Sequence, residues 1–89
     1  MKAAQVTLVN RLGLHARAAA KLVNLAKTYS SRVSLAKDGD PVDGKSIMNV
    51  LLLAAPVDTV LELEVEGEDE QEAFVAIVAL IEDRFGEDE

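Results

Sequence analysis

The chain contains no cysteine and no tryptophan, one histidine, two prolines and only three aromatic side chains in 89 residues. Without cysteine there can be no disulfide scaffold, thiolate metal site or cysteine nucleophile, and a reducing cytoplasm is the default location. His15 is the lone histidine and no carboxylate precedes Asp38, so the first part of the chain spells out neither a zinc site nor a local acid–base pair, and no cofactor is called for. The serines (Ser30, Ser31, Ser34, Ser46) stage no hydrolase triad. Long apolar runs are missing as well. Ile47 to Val57 is interrupted by Asn49 and Pro56 and falls short of the roughly 20 residues a membrane span needs. The residues after Met1 alternate polar and apolar instead of forming the apolar centre of a secretory signal, so no membrane insertion is expected. Phe74 and Phe85 belong to a helical stripe, which leaves no stacking platform for nucleic acid.

Hydrophobic residues make up 49% of the chain, enough for one core and one domain over residues 1–89. The net charge of −7 is unevenly placed. Residues 1–37 hold seven basic side chains and no acid, whereas all 16 acids follow, with only Lys45 and Arg84 among them. Either the two parts neutralise each other on folding, or the basic part meets an anionic partner.

Ala4 to Val9 alternates as a strand, and Ala16 to Tyr29 repeats apolar residues at helical spacing. Val33 and Leu35 begin a second strand, Asp38-Gly39-Asp40 turns the chain, and Pro41-Val42-Asp43 is a short edge strand. Ser46 precedes an apolar helix from Ile47 to Ala54, ended by Pro56. Thr59 to Glu66 alternates leucine and valine with glutamate, which predicts one buried and one wet face. Asp69 with Glu72 reads as a capping box for a last helix with the stripe Phe74, Ile77, Val78, Ile81 and Phe85, terminated by Gly86. The order β-α-β-β-α-β-α predicts a two-layer α+β sandwich, one sheet with helices on one face. The glutamates from Glu62 to Glu72 read as a solvated surface, since their spacing forms no cation loop.

His15 stands where Ser, Thr, Asp or Asn would normally cap a helix, and the first turn, Ala16-Arg17-Ala18-Ala19, has no acid. The N–H groups of Ala16, Arg17 and Ala18 are then expected to face water or a ligand. Such donors beside a guanidinium make a phosphate site, with His15 as nucleophile and Arg17 as anchor. An ordinary surface histidine beside a poor cap fits the same spacing, because a weak cap costs only about 1 kcal/mol.

Two motifs carry a resemblance to a known family. Asn10-Arg11-Leu12-Gly13-Leu14-His15-Ala16-Arg17 resembles the phosphorylation motif of HPr, the histidine phosphocarrier of the bacterial phosphoenolpyruvate-dependent phosphotransferase system. Gly44-Lys45-Ser46-Ile47-Met48 resembles the family's second motif, around a regulatory serine. The resemblance implies a four-stranded antiparallel sheet of order 1-4-2-3 covered on one face by three helices. It implies that His15 takes a phosphoryl group on Nδ1 from enzyme I, which draws it from phosphoenolpyruvate, and passes it to an EIIA domain in sugar uptake or its regulation. Arg17 would steady the phosphate, and Ser46, a normal N-cap on spacing alone, would be the target of an HPr kinase/phosphorylase. The resemblance also implies an apolar docking patch of Ala20, Ile47, Met48 and Leu51, ringed by Arg17, Lys21 and Lys45. Ala18 replaces the family's usual proline. That residue and the acidic end Gly86-Glu87-Asp88-Glu89 are similar to the nitrogen-related branch, NPr, whose acceptor is a regulatory protein.

Overall fold

Alternation decides the sheet. In the computed structural model, which describes residues 1–89, Leu61, Leu63 and Val65 are fully buried while the intervening glutamates are exposed, so strand β4 (Val60–Glu66) sets the two faces. β4 is central. It pairs antiparallel with β1 (Lys2–Thr7) and β2 (Arg32–Ala36), and β2 pairs with the three-residue β3 (Pro41–Asp43), giving the order β1-β4-β2-β3. The register places Val6 opposite Leu61 and both Ala4 and Leu35 opposite Leu63, so the apolar sets of the strands share one face. Three helices cover it: α1 (Ala16–Lys27), α2 (Ile47–Leu52) and α3 (Glu70–Glu82). Ala18, Ala19, Leu22, Val23 and Ala26 of α1 and Ala73, Ile77 and Ile81 of α3 close the core. No helix is long and apolar enough to cross a membrane.

Two expectations about helix ends are corrected. Asp69 does precede α3, but its carboxylate makes no cap bond there. Instead it accepts from the Ser30 N–H (2.8 Å), the Ser31 N–H (2.9 Å) and the Ser31 hydroxyl (2.5 Å), and so ties the α1–β2 loop to the start of α3. Glu70, not Glu72, makes the backward bond, accepting from the Gly67 N–H at 3.2 Å. The bonds to Asp69, the Ser31 hydroxyl first and the Ser30 N–H next, outweigh the effect of burial and hold its carboxyl down, from 3.8 to about 2. A carboxyl lowered by folding stabilises the fold fully above its unfolded value, and that contribution is lost as pH falls through the folded one. The urea midpoint of the wild type is therefore expected to drop more steeply than that of Asp69→Asn between pH 3.8 and about 2, and parallel curves would count against these bonds.

The second correction concerns the chain end. Gly86 does not terminate α3, which stops at Glu82; Arg84, Phe85 and Gly86 follow in left-handed backbone at φ 57°, 55° and 78°. Non-glycine residues adopt that region at a cost and keep it only where packing fixes them. Here Phe85 is fully buried, and the Lys21 ammonium donates to its carbonyl at 2.6 Å. The reversal sends residues 87–89 back across the start of α1.

Candidate functional site

The loop between β1 and α1 is anchored before it reaches His15. Asn10 is fully buried and donates through Nδ2 to the Gly13 carbonyl at 2.7 Å, while the Gly13 N–H donates to the Asn10 carbonyl at 3.1 Å. Gly13 lies at φ +66° with its Cα against the α2–β4 connection, where an added Cβ would sit 2.5 Å from the Ala55 carbonyl oxygen. The Leu14 N–H then donates to that same oxygen at 2.9 Å, and the Leu14 side chain is buried. Only glycine permits this approach, so the glycine two residues before the histidine is what seats it.

His15 caps α1 itself, which corrects the expectation that the Arg17 N–H faces water or a ligand. Its backbone is extended, and Nδ1 accepts from the Arg17 N–H at 3.3 Å. Two donors of the first turn, the N–H groups of Ala16 and Ala18, find no acceptor in the chain. Arg17 is exposed, and its guanidinium makes no internal bond.

The first part of the chain offers His15 no carboxylate, and the one that reaches it comes from a residue 72 positions away. His15 Nε2 lies 2.5 Å from Glu87 Oε2, and the other oxygen of Glu87 accepts from Asn10 Nδ2 at 3.1 Å. Burial pushes the Glu87 carboxyl up, but the bonds from His15 and Asn10, the charge of the His15 ring when protonated and the nearby charge of Lys21 outweigh it, and the net direction is down. The carboxylate is thus ionised at neutral pH. The Arg11 guanidinium pairs with Glu89 at 2.8 Å, and its backbone N–H donates to the Glu89 carbonyl at 2.6 Å. An open cleft of about 760 Å³ lies among Arg11, His15, Arg17 and these tail residues. Part of the basic segment is therefore neutralised by the chain's own end, and of the two arginines that line the cleft Arg17 is the one left unpaired. Sequence spacing could not pair residues 15 and 87; the available signal was an acidic tail beginning just after a possible reversal at Gly86.

Ser46 caps α2, accepting from the Asn49 N–H at 3.4 Å. On the outer face of α2, Ile47 and Met48 are exposed, Met48 at 68%. Leu51 is half-buried against the core, and its neighbour Leu52, 75% exposed, takes the outer place instead; Leu12, 64% exposed, adds a further apolar side chain beside the cleft. Ala20 is half-buried. Of the three cations expected around this surface, two have main-chain partners. Lys21 is held at the Phe85 carbonyl, while Lys45 donates to the Tyr29 carbonyl at 2.8 Å. That carbonyl lies past the far end of α1, about 18 Å along the helix from His15.

The fold and this loop define a class: a small open-faced α+β sandwich that presents one histidine at a helix start, with an unpaired arginine two residues on. A family profile described as "PTS HPr component phosphorylation site" matches residues 2–83. The chain is 53% identical to the phosphocarrier protein HPr of Cupriavidus necator, over 93% of each chain, and 51% identical to that of Pseudomonas aeruginosa, over the whole of both. Among solved structures, an HPr from Thermoanaerobacter tengcongensis superposes with a TM-score of 0.96 at 43% identity over all of both chains. An HPr from Bacillus anthracis does so with a TM-score of 0.86 at 32% identity, covering 90% of this chain and 95% of that one. The chain belongs to the HPr family of phosphotransferase-system phosphocarriers.

Proposed function

We propose that this protein shuttles a phosphoryl group on His15 in the cytoplasm, accepting it from phosphorylated enzyme I and delivering it to an EIIA domain. The observation that carries the reading is the pairing of a solvent-reachable His15 Nδ1 with first-turn donors and a free Arg17. An amide N–H can only donate, so Nδ1 is the acceptor in its bond with Arg17 and holds a lone pair. That pair forms the N–P bond as the bond from phosphorus to the donor breaks, and the donor's leaving atom keeps the electrons. The Arg17 N–H, released from Nδ1, turns to a phosphoryl oxygen. The N–H groups of Ala16 and Ala18 and the Arg17 guanidinium supply the remaining positive field. Delivery to the acceptor is the same displacement reversed.

Ile47, Met48 and Leu52 are the apolar contacts offered to partners, with Arg17 as the adjacent charge. Introducing a charge there with Met48→Glu is expected to slow transfer from enzyme I while leaving the melting temperature near wild type. Equal losses of both would assign Met48 to the core. Ser46 is the position a kinase would modify; a phosphate on it would meet the start of α2 and add negative charge beside these contacts. The reading is tested by incubating the protein with labelled phosphoenolpyruvate and enzyme I. Acid-labile phosphate is expected on the wild type and none on His15→Ala; an unlabelled wild type or a labelled variant would overturn it.

A further inference from the structure

We infer that Glu87 is a positioning residue for His15, accepting the Nε2–H so that the lone pair of the neutral ring stays on Nδ1, facing the Arg17 N–H. Two contacts on opposite sides of the ring lead to the same tautomer. The ionised Glu87 carboxylate can only accept, so the nitrogen 2.5 Å from it carries the hydrogen. The Arg17 amide can only donate, so the nitrogen 3.3 Å from it does not. In a histidine the partner of one nitrogen decides what the other can do.

The contact is built into the chain end. Glu87 is only 15% exposed at its side chain, and Asn10, the fully buried centre of the His15 loop, holds its second oxygen at 3.1 Å. One carboxylate thereby spans the loop and the ring, fixing ring rotation as well as tautomer. The left-handed run Arg84-Phe85-Gly86 aims the residue, and Phe85 in the core and Lys21 on its carbonyl hold that run in place. During transfer Nε2 keeps its hydrogen. The N–P bond forms at Nδ1 and the donor bond breaks with its electrons leaving on the donor, so no proton has to move. As positive charge develops on the ring, the Glu87 carboxylate opposes it from the far side.

The role rests on His15 being the phosphoryl acceptor, and the test separates the two claims. A proton spectrum of the full chain should show the His15 Nε2–H far downfield and slow to exchange, correlated to the protonated ring nitrogen. Glu87→Ala should lose that resonance, and Glu87→Gln, whose amide oxygen can still accept, should retain it. With enzyme I and phosphoenolpyruvate, Glu87→Ala should lower the maximal rate of phosphoryl acceptance about tenfold with KM unchanged, and Glu87→Gln should recover most of it. A resonance that survives in Glu87→Ala, or a rate unchanged or raised because the carboxylate had only been obstructing phosphate, would overturn the inference. Failure of every form, wild type included, to accept phosphoryl would instead remove the carrier reading and with it the catalytic part of the role, while the resonance would still report the contact.

Discussion

Gly13→Ala is expected to destabilise the protein by about 2–5 kcal/mol and to abolish most phosphoryl acceptance by His15. Alanine at φ +66° carries the strain of left-handed backbone, roughly 1–2 kcal/mol, before any contact is considered. Its Cβ would also stand 2.5 Å from the Ala55 carbonyl oxygen and 2.8 Å from Pro56 backbone carbons, none of which can swing aside as a side chain could. The loop has to lift. Lifting it breaks the bond from the Leu14 N–H to Ala55 and carries His15 away from both its partners. Urea unfolding and an enzyme I transfer assay check the two effects. Loss of transfer at wild-type stability would show that the loop adapts and that the glycine serves a partner directly.

Phe85→Ala has the other large expected effect, a loss of about 3–5 kcal/mol for a fully buried aromatic side chain. A second consequence distinguishes it from other core truncations. Phe85 pins the left-handed run that delivers Glu87, so the variant should also lose the downfield His15 Nε2–H signal at temperatures where it is still folded. Ile77→Ala, an equally buried position in α3 away from the reversal, should lose comparable stability and keep the signal. If both variants keep it, the tail is held by Asn10 and Lys21 without the aromatic anchor.

The parts of the fold set by local periodicity were legible in the residues. Leu61, Leu63 and Val65 against three glutamates define a half-buried strand, and Ala19, Leu22, Val23 and Ala26 define most of the buried face of α1. Strand order came from the motif resemblance and agrees with the observed β1-β4-β2-β3 sheet. His15 and Arg17 were legible as a candidate site because they stand two positions apart at a helix start, whereas the seating of the loop by Gly13 shows only in the approach to Ala55. Glu87 was not, because its contact depends on three consecutive left-handed residues, of which only Gly86 has a composition that signals the conformation. Asp69 misled for a related reason. An aspartate before a helix usually caps it, but here two serine N–H groups and a hydroxyl from a loop far away in sequence offered it three donors. The uneven charge had the same kind of resolution: Arg11 and Arg32 pair with Glu89 and Glu66, which leaves Arg17 as the unpaired arginine of the basic segment, beside His15.

The most direct test of the account is to identify the atom that carries the phosphoryl group. Nitrogen-labelled protein, charged with phosphoenolpyruvate and enzyme I, should show phosphorus bonded to His15 Nδ1 with the hydrogen still on Nε2. Phosphorus on Nε2, or on any other residue, would contradict it.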